Sequence, residues 1–205
     1  MKNEDKIILH LCASEFGSDT RDYRAAGYDV RLITKDIDVR TYEPPENVYG
    51  IIANPPCTHF TKAAWQIKKQ DRKFKEGMEL VKACLSIIWK VQEKGMPLKF
   101  WSLENPQGYL TAFLGKPAFA YQPWEFGNLT ALATKRYNLW GYFNPPKKSI
   151  TKRTIPYVLS TKRKEPAGLF PSNNTIGNKG WSKLTSDERS IAPPEFTKAF
   201  FLANP

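Results

Sequence analysis

Tyr49-Gly50-Ile51-Ile52-Ala53-Asn54-Pro55-Pro56-Cys57 is the stretch that decides how this chain is read. A short apolar strand runs without interruption into a polar residue, two prolines and a cysteine. Consecutive prolines fix the backbone and cannot extend the strand, so Cys57 is expected just beyond its carboxyl end. Working outward, the preceding Glu43-Pro44-Pro45-Glu46 is a loop for the same reason. Further back, Lys6 to Cys12 is a continuous apolar run of the buried-strand type. It is followed by the small and polar Ala13-Ser14-Glu15-Phe16-Gly17-Ser18, which has the look of a strand-to-helix turn. Ser18 or Asp19 can cap a short helix ending near Gly27, and Tyr28 to Thr34 alternates as a second strand. This is the opening of a βαβ unit.

On the other side of Cys57, Asp71 to Lys94 holds the longest helical pattern in the chain. Phe74, Met78, Val81, Leu85 and Ile88 form one stripe, and Leu80, Cys84, Ile87 and Val91 form its neighbour. An apolar arc of that width predicts a helix packed on a sheet. Gly95 and Pro97 end it, and Leu98 to Leu103 is a strand expected to terminate in Glu104-Asn105-Pro106. Strands alternating with helices predict an α/β fold, a Rossmann-like, mostly parallel sheet flanked by helices, with its ligand crevice beyond the carboxyl ends of the strands.

The chain has 205 residues, with 31 Lys and Arg against 20 Asp and Glu, a net charge of +11. Hydrophobic residues make up 41% and aromatics 13%, enough for a core, which excludes a wholly disordered polybasic chain. Cys12, Cys57 and Cys84 are widely spaced and His10 and His59 lie near no second ligand cluster, so neither a disulfide framework nor a structural zinc site is expected. No apolar run approaches the roughly 18 residues of a membrane span, and the start, Met1 to Lys6, is unlike a signal peptide. The expectation is a soluble protein of the cell interior with no membrane partner. The excess of positive charge points to a polyanionic partner. Phe143 to Lys164 concentrates it: Lys147, Lys148, Lys152, Arg153, Lys162, Arg163 and Lys164, with no acid among them. Gly168 to Gly180 reads as loop, and Leu184 to Arg189 and Pro194 to Asn204 read as two short helices. The organisation expected is a catalytic unit over 1–141, a basic loop-rich segment over 142–181, and helices over 182–205 that pack back on the catalytic unit.

Cys57 and Glu104 carry the chemistry. A thiol held at a crevice by rigid prolines suits a nucleophile, provided that a cation or helix terminus favours its thiolate. A carboxyl at the end of the strand after the long helix is placed to project into the same crevice, where it can hold or share a proton. Cys84, by contrast, sits on the apolar stripe as a buried small side chain would.

In these segments the chain resembles the cytosine-5 DNA methyltransferases, particularly the small, minimal members of phage-type genomes. Asn54-Pro55-Pro56-Cys57 is similar to the family's nucleophile loop and Glu104-Asn105-Pro106 to its acid motif. Thr134-Lys135-Arg136 to Gly141 resembles its arginine-bearing segment, and Pro193 to Asn204 its closing helix. The resemblance implies a methyltransferase fold, S-adenosylmethionine as cofactor and DNA as partner, in the cytoplasm of a bacterial or phage-infected host cell. It implies that the Cys57 thiolate adds to carbon 6 of cytosine, that Glu104 engages ring nitrogen 3 and the exocyclic amine, and that Arg136 holds the base's carbonyl oxygen. Carbon 5 then takes the methyl group. A base inside a duplex is out of reach of such an attack, so the target is flipped out or already single-stranded.

For the cofactor, the resemblance implies the turn of Cys12, Ala13, Ser14 and Gly17, with Asp38 or Asp36, Asn54 and Pro55. The turn carries a single glycine, and Thr34 stands where the family has an acid. Lys135, Lys147, Lys148, Lys152, Arg153, Lys162 and Arg163 are the expected phosphate contacts. The segment available for target recognition is short, which implies weak sequence preference or a second protein that supplies specificity. Alternatives are an amino-group methyltransferase, where the fourth position of Asn-Pro-Pro-aromatic is here Cys57, and a thymidylate-synthase-like enzyme. A further alternative is a nucleic-acid-binding protein that has kept the fold and lost the cofactor, or an enzyme using a different one.

Overall fold

The computed structural model describes residues 2–62, 67–95, 98–128, 135–152, 158–159, 166–167 and 190–205. Six strands form one sheet: β1 (Ile7–Leu11), β2 (Asp29–Ile33), β3 (Val48–Ala53), β4 (Phe100–Pro106), β5 (Phe119–Tyr121) and β6 (Tyr137–Tyr142), in the order β2-β1-β3-β4-β6-β5. The first four are parallel, whereas β6 runs antiparallel to both β4 and β5. Two further short strands, β7 (Val158–Leu159) and β8 (Pro166–Ala167), pair antiparallel with each other. The helices are α1 (Arg21–Ala25), α2 (Phe74–Glu93), α3 (Thr111–Leu114) and α4 (Pro194–Ala203).

The period-2 alternation of strand side chains divides the core into two layers. Leu9, Leu11, Ile51, Ala53 and Leu103 face α2 and meet Val81, Cys84, Ile87, Ile88 and Val91. Ile8, Ile52, Phe100 and Leu139 face the opposite way, against Tyr23 of α1 and Phe196 and Phe200 of α4. Both sheet faces are thus covered, which is why β1 and β3 read as unbroken apolar runs. The buried arc of α2 runs through Gly77, Val81, Cys84, Ile87, Ile88 and Val91, with Phe74, Met78, Leu80 and Leu85 partly buried at its margins.

Three features at the carboxyl edge differ from the sequence expectation or go beyond it. β4 continues through Glu104 to Pro106 instead of stopping at Leu103. Its pairing with β3 ends at Ala53–Leu103, but the antiparallel β6 pairs it further, Glu104 with Leu139 and Pro106 with Tyr137. A strand at Tyr137–Tyr142 was not anticipated from the arginine-bearing segment. The α4 helix is anchored to the start of the chain: Tyr23 Oη donates to the Asn204 carbonyl (2.7 Å), and Arg21 donates to the Ala192 carbonyl (2.6 Å). The predicted helix at 184–189 lies outside the described residues. Among the described residues, no helix is long and apolar enough to cross a membrane.

Candidate active site

The chain passes from β1 to β2 on one side and places β3 on the other, so the strand order reverses between β1 and β3. In open α/β sheets that is where a crevice forms beyond the carboxyl ends. Cys12 leaves β1 there with φ of 55°, a conformation uncommon outside glycine and asparagine. Asn54 leaves β3 beside it, its N–H bonded to the Leu11 carbonyl at 3.0 Å.

The turn that carries Cys57 is held from three sides. Asn105 Nδ2 donates to the Pro55 carbonyl (2.9 Å), tying the proline loop to β4. The Cys57 carbonyl accepts the N–H groups of Phe60 (2.9 Å) and Thr61 (2.8 Å). Phe60 is wholly buried, and its carbonyl accepts from Tyr109 N (2.8 Å). Gly108 permits that approach, because a Cβ there would lie 2.0 Å from the Phe60 oxygen. Arg72 is buried and donates to the carbonyls of His59 (3.2 Å) and Thr61 (2.9 Å) while lying over the Tyr109 ring. Sequence reading missed Arg72 and Phe60, since neither an interior arginine nor a post-cysteine aromatic carries a local signal. With these anchors the backbone around Cys57 is preorganised.

Glu104 and Asn54 share a polar network. Asn54 Nδ2 donates to Glu104 Oε2 (3.3 Å) and Asp19 Oδ1 (3.2 Å), while Asn54 Oδ1 lies 3.1 Å from His10 Nε2. His10 is fully enclosed in β1, and burial lowers its pKa, so the ring is neutral. Glu104 Oε1 is covered and has no hydrogen-bond partner among the described residues. Burial pushes the Glu104 carboxyl up to about 7, with the charge of Lys135 opposing the shift and that of Asp19 adding to it. Lys135 Nζ stands 4.4 Å from the centre of the Tyr137 ring, which stacks on Tyr121 and, through it, on Phe196. Burial also raises the Tyr121 and Tyr137 hydroxyls, and the Cys57 and Glu104 charges both act on Tyr137. Cys57, Glu104, Lys135 and Tyr137 therefore belong to one neighbourhood. Arg136 is exposed, and its carbonyl accepts from Gln107 N at 2.9 Å.

Several residues expected at the cofactor have inward partners. The Ala13 N–H bonds the Ile33 carbonyl (2.9 Å), and the Ser14 carbonyl accepts from Gly17 N (3.0 Å). Gly17 presses on Leu32, where a Cβ would meet the side chain at 2.8 Å. Cys12 Sγ lies 3.8 Å from Cys84 Sγ, both as free thiols; the contact lowers the Cys12 pKa and, with burial, raises that of Cys84. Asp38 is held by Arg40, bidentate at 2.8 Å, and Asn54 by the carboxylates. Glu15 and Lys35 pair at 3.1 Å and join the loops after β1 and β2. On those loops Phe16 is 68% and Ile37 44% exposed, and Asp36 is exposed as well.

Of the expected phosphate contacts, Lys147 and Lys152 are exposed. Lys148 points inward: its Nζ donates to Glu125 Oε1 (2.7 Å) and the Ala120 carbonyl (3.0 Å). The segment has no acid of its own, but Glu125 from a neighbouring turn neutralises it. Arg153, Lys162, Arg163 and Lys164 lie outside the described residues. Among the described residues, no group of three or more His, Cys, Asp or Glu side chains is placed to hold a metal ion. No family model matches the chain, and no curated protein matches it.

Proposed function

We propose that the chain is a DNA-binding methyltransferase of Rossmann-like type that methylates cytosine at carbon 5, with S-adenosylmethionine as methyl donor. The observation that carries this reading is the protonatable, covered Glu104 with its unpartnered Oε1, joined through Asn54 to the proline loop that presents Cys57.

The Cys57 thiol, once deprotonated, adds to carbon 6 of an unstacked cytosine and places electron density on carbon 5. Glu104 donates its proton or hydrogen bond to ring nitrogen 3 as negative charge develops there, and accepts from the exocyclic amine. The cationic edge at the start of β6 serves the base's carbonyl oxygen, Arg136 by resemblance to the family and Lys135 by its placement near Glu104. Phe16, Ile37 and Asp36 would hold the cofactor, which when bound supplies an electrophilic methyl group. After carbon 5 is methylated its proton passes to water, and elimination of the Cys57 thiolate restores the ring double bond. Lys147 and Lys152 contribute phosphate contacts without reading sequence.

One observation favours a second reading, a binding-only descendant of such an enzyme: Ala13 N–H, Asp38 and Asn54 are all engaged within the protein. Incubation with labelled S-adenosylmethionine and cytosine-containing DNA separates the two, with wild type beside Cys57→Ser. Transfer by wild type alone supports the enzyme. No transfer over a range of DNA sequences, together with no calorimetric binding of the cofactor, sinks it in favour of the binding protein.

A further inference from the structure

We propose that Asp19 and Asn54 are positioning residues for Glu104, fixing Oε2 within the protein and leaving Oε1 to the target base. The inference rests on the reading of Glu104 as the acid that faces cytosine.

Asn54 has two amide N–H bonds and directs them to different carboxyl groups, Asp19 Oδ1 at 3.2 Å and Glu104 Oε2 at 3.3 Å. Its oxygen faces His10 Nε2 at 3.1 Å. If neutral His10 donates from Nε2 to the Asn54 oxygen, its Nδ1 is an acceptor beside Thr20 Oγ1 (3.4 Å), whose one proton goes to the Gly17 carbonyl (3.1 Å). With His10 as the donor at Nε2, the amide is oriented with its oxygen to the imidazole and its NH2 to the two carboxyl groups. Flipped, Asn54 would set its NH2 against the imidazole N–H and its oxygen against two carboxyl groups. β1, the turn after it and β3 thus converge on one oxygen of a β4 side chain. The other oxygen, Oε1, is covered and has no partner among the described residues.

Asp19 has a second effect. Two carboxyl groups sharing one NH2 cannot both ionise without repulsion, and the more enclosed of them keeps the proton. Both residues are half-buried overall; Glu104 is the one whose Oε1 is covered and whose carboxyl burial pushes up to about 7, with the Asp19 charge adding to the shift. The other titratable groups coupled to Glu104 are Lys135 before β6, Tyr121 of β5 and Tyr137 of β6, while His10 of β1 reaches the same Asn54 amide and Cys57 acts on Tyr137. Lys135 alone among them favours the ionised form by its positive charge. The α4 helix brings only Phe196, Thr197 and Phe200 to this place.

The test uses single-stranded DNA containing 5-fluorocytosine together with S-adenosylmethionine: once carbon 5 is methylated its fluorine cannot leave as the proton does, so the Cys57 adduct is trapped, and the rate of trapping is followed against pH. Asp19→Asn is expected to move the alkaline limb about one pH unit lower, and Lys135→Met to move it higher. Asn54→Ala is expected to slow trapping about 10-fold or more with strand affinity unchanged. Carbon-13 NMR of the Glu104 carboxyl in the free protein, assigned with Glu104→Gln, provides a reading independent of catalysis. A midpoint that falls in Asp19→Asn supports the proposal. An Asp19→Asn midpoint and limb that coincide with wild type overturn it, as does an Asn54→Ala rate within twofold of wild type. If wild type forms no adduct, the methyltransferase reading fails, and the carboxyl midpoint still decides whether Asp19 controls the Glu104 proton.

Discussion

Glu104→Gln should make the protein more stable at neutral and alkaline pH. The folded state holds the Glu104 proton up to about pH 7, against 4.5 for an ordinary glutamate. Below pH 4.5 the carboxyl is protonated in both states and has no effect on the folding equilibrium. Between 4.5 and 7 the unfolded chain releases its proton and the folded chain does not, so stability falls as pH rises; above 7 the loss is complete. Linkage over that interval gives a total of about 3 kcal/mol, of which about 2.5 kcal/mol develops between pH 5 and pH 8. Glutamine keeps an oxygen for the Asn54 N–H and cannot ionise, so it escapes the loss. Whatever fixed difference the substitution brings is common to both pH values and cancels. The titration of His10, which acts with the opposite sign, is common to both proteins and cancels as well. The assay is urea unfolding followed by fluorescence of the six tryptophans, at pH 5 and pH 8, for both proteins. The expected result is a stability gain for Glu104→Gln that is larger at pH 8 by about 2.5 kcal/mol. A gain that differs by less than about 0.5 kcal/mol between the two pH values would mean that Glu104 is ionised at little cost, refuting the enclosed-acid reasoning.

Other perturbations probe the supports of the site and the basic segment. Cys57→Ser should abolish adduct formation with 5-fluorocytosine DNA, seen as loss of the shifted gel band, whereas Cys84→Ala should retain it; adduct formation that followed Cys84 would reassign the nucleophile. Gly77→Ala places a Cβ 2.8 Å from the Phe60 ring, so it should cost roughly 1–3 kcal/mol in urea unfolding and slow trapping at Cys57. Arg72→Met leaves the His59 and Thr61 carbonyls without their donor and should destabilise by about 1–3 kcal/mol. Lys147→Ala should weaken DNA binding uniformly across sequences and lower the slope of log affinity against log salt by about 1. Lys148→Ala, which breaks an internal pair with Glu125, should lower the melting temperature and leave that salt slope unchanged.

The relation between sequence and site is uneven, for physical reasons visible residue by residue. The strands over 7–11, 29–33 and 48–53 and the long helix were legible because burial on a sheet imposes a repeating apolar pattern on the residues themselves. Asn54-Pro55-Pro56-Cys57 was legible because proline acts on its own backbone, whatever surrounds it. β6 was not, since Tyr137–Tyr142 becomes a strand by pairing with β4 and β5, partners distant in sequence. That same pairing carried β4 past Leu103 and drew Glu104 into the sheet. Lys148 reads as part of an unopposed basic run in the sequence, but the fold brings Glu125 to it.

By itself, the sequence determined the α/β class, the rigid placement of Cys57 and the expectation that Glu104 shares its crevice. These follow from local backbone chemistry and from hydrophobic period, both properties of neighbours along the chain. Only the tertiary structure decided that Asn54 turns inward, that Asp19 and His10 join it, and that Oε1 of Glu104 is left covered and unpartnered. Hydrogen-bond partners and desolvation depend on which distant residues the fold brings within a few ångströms, and no local pattern encodes that.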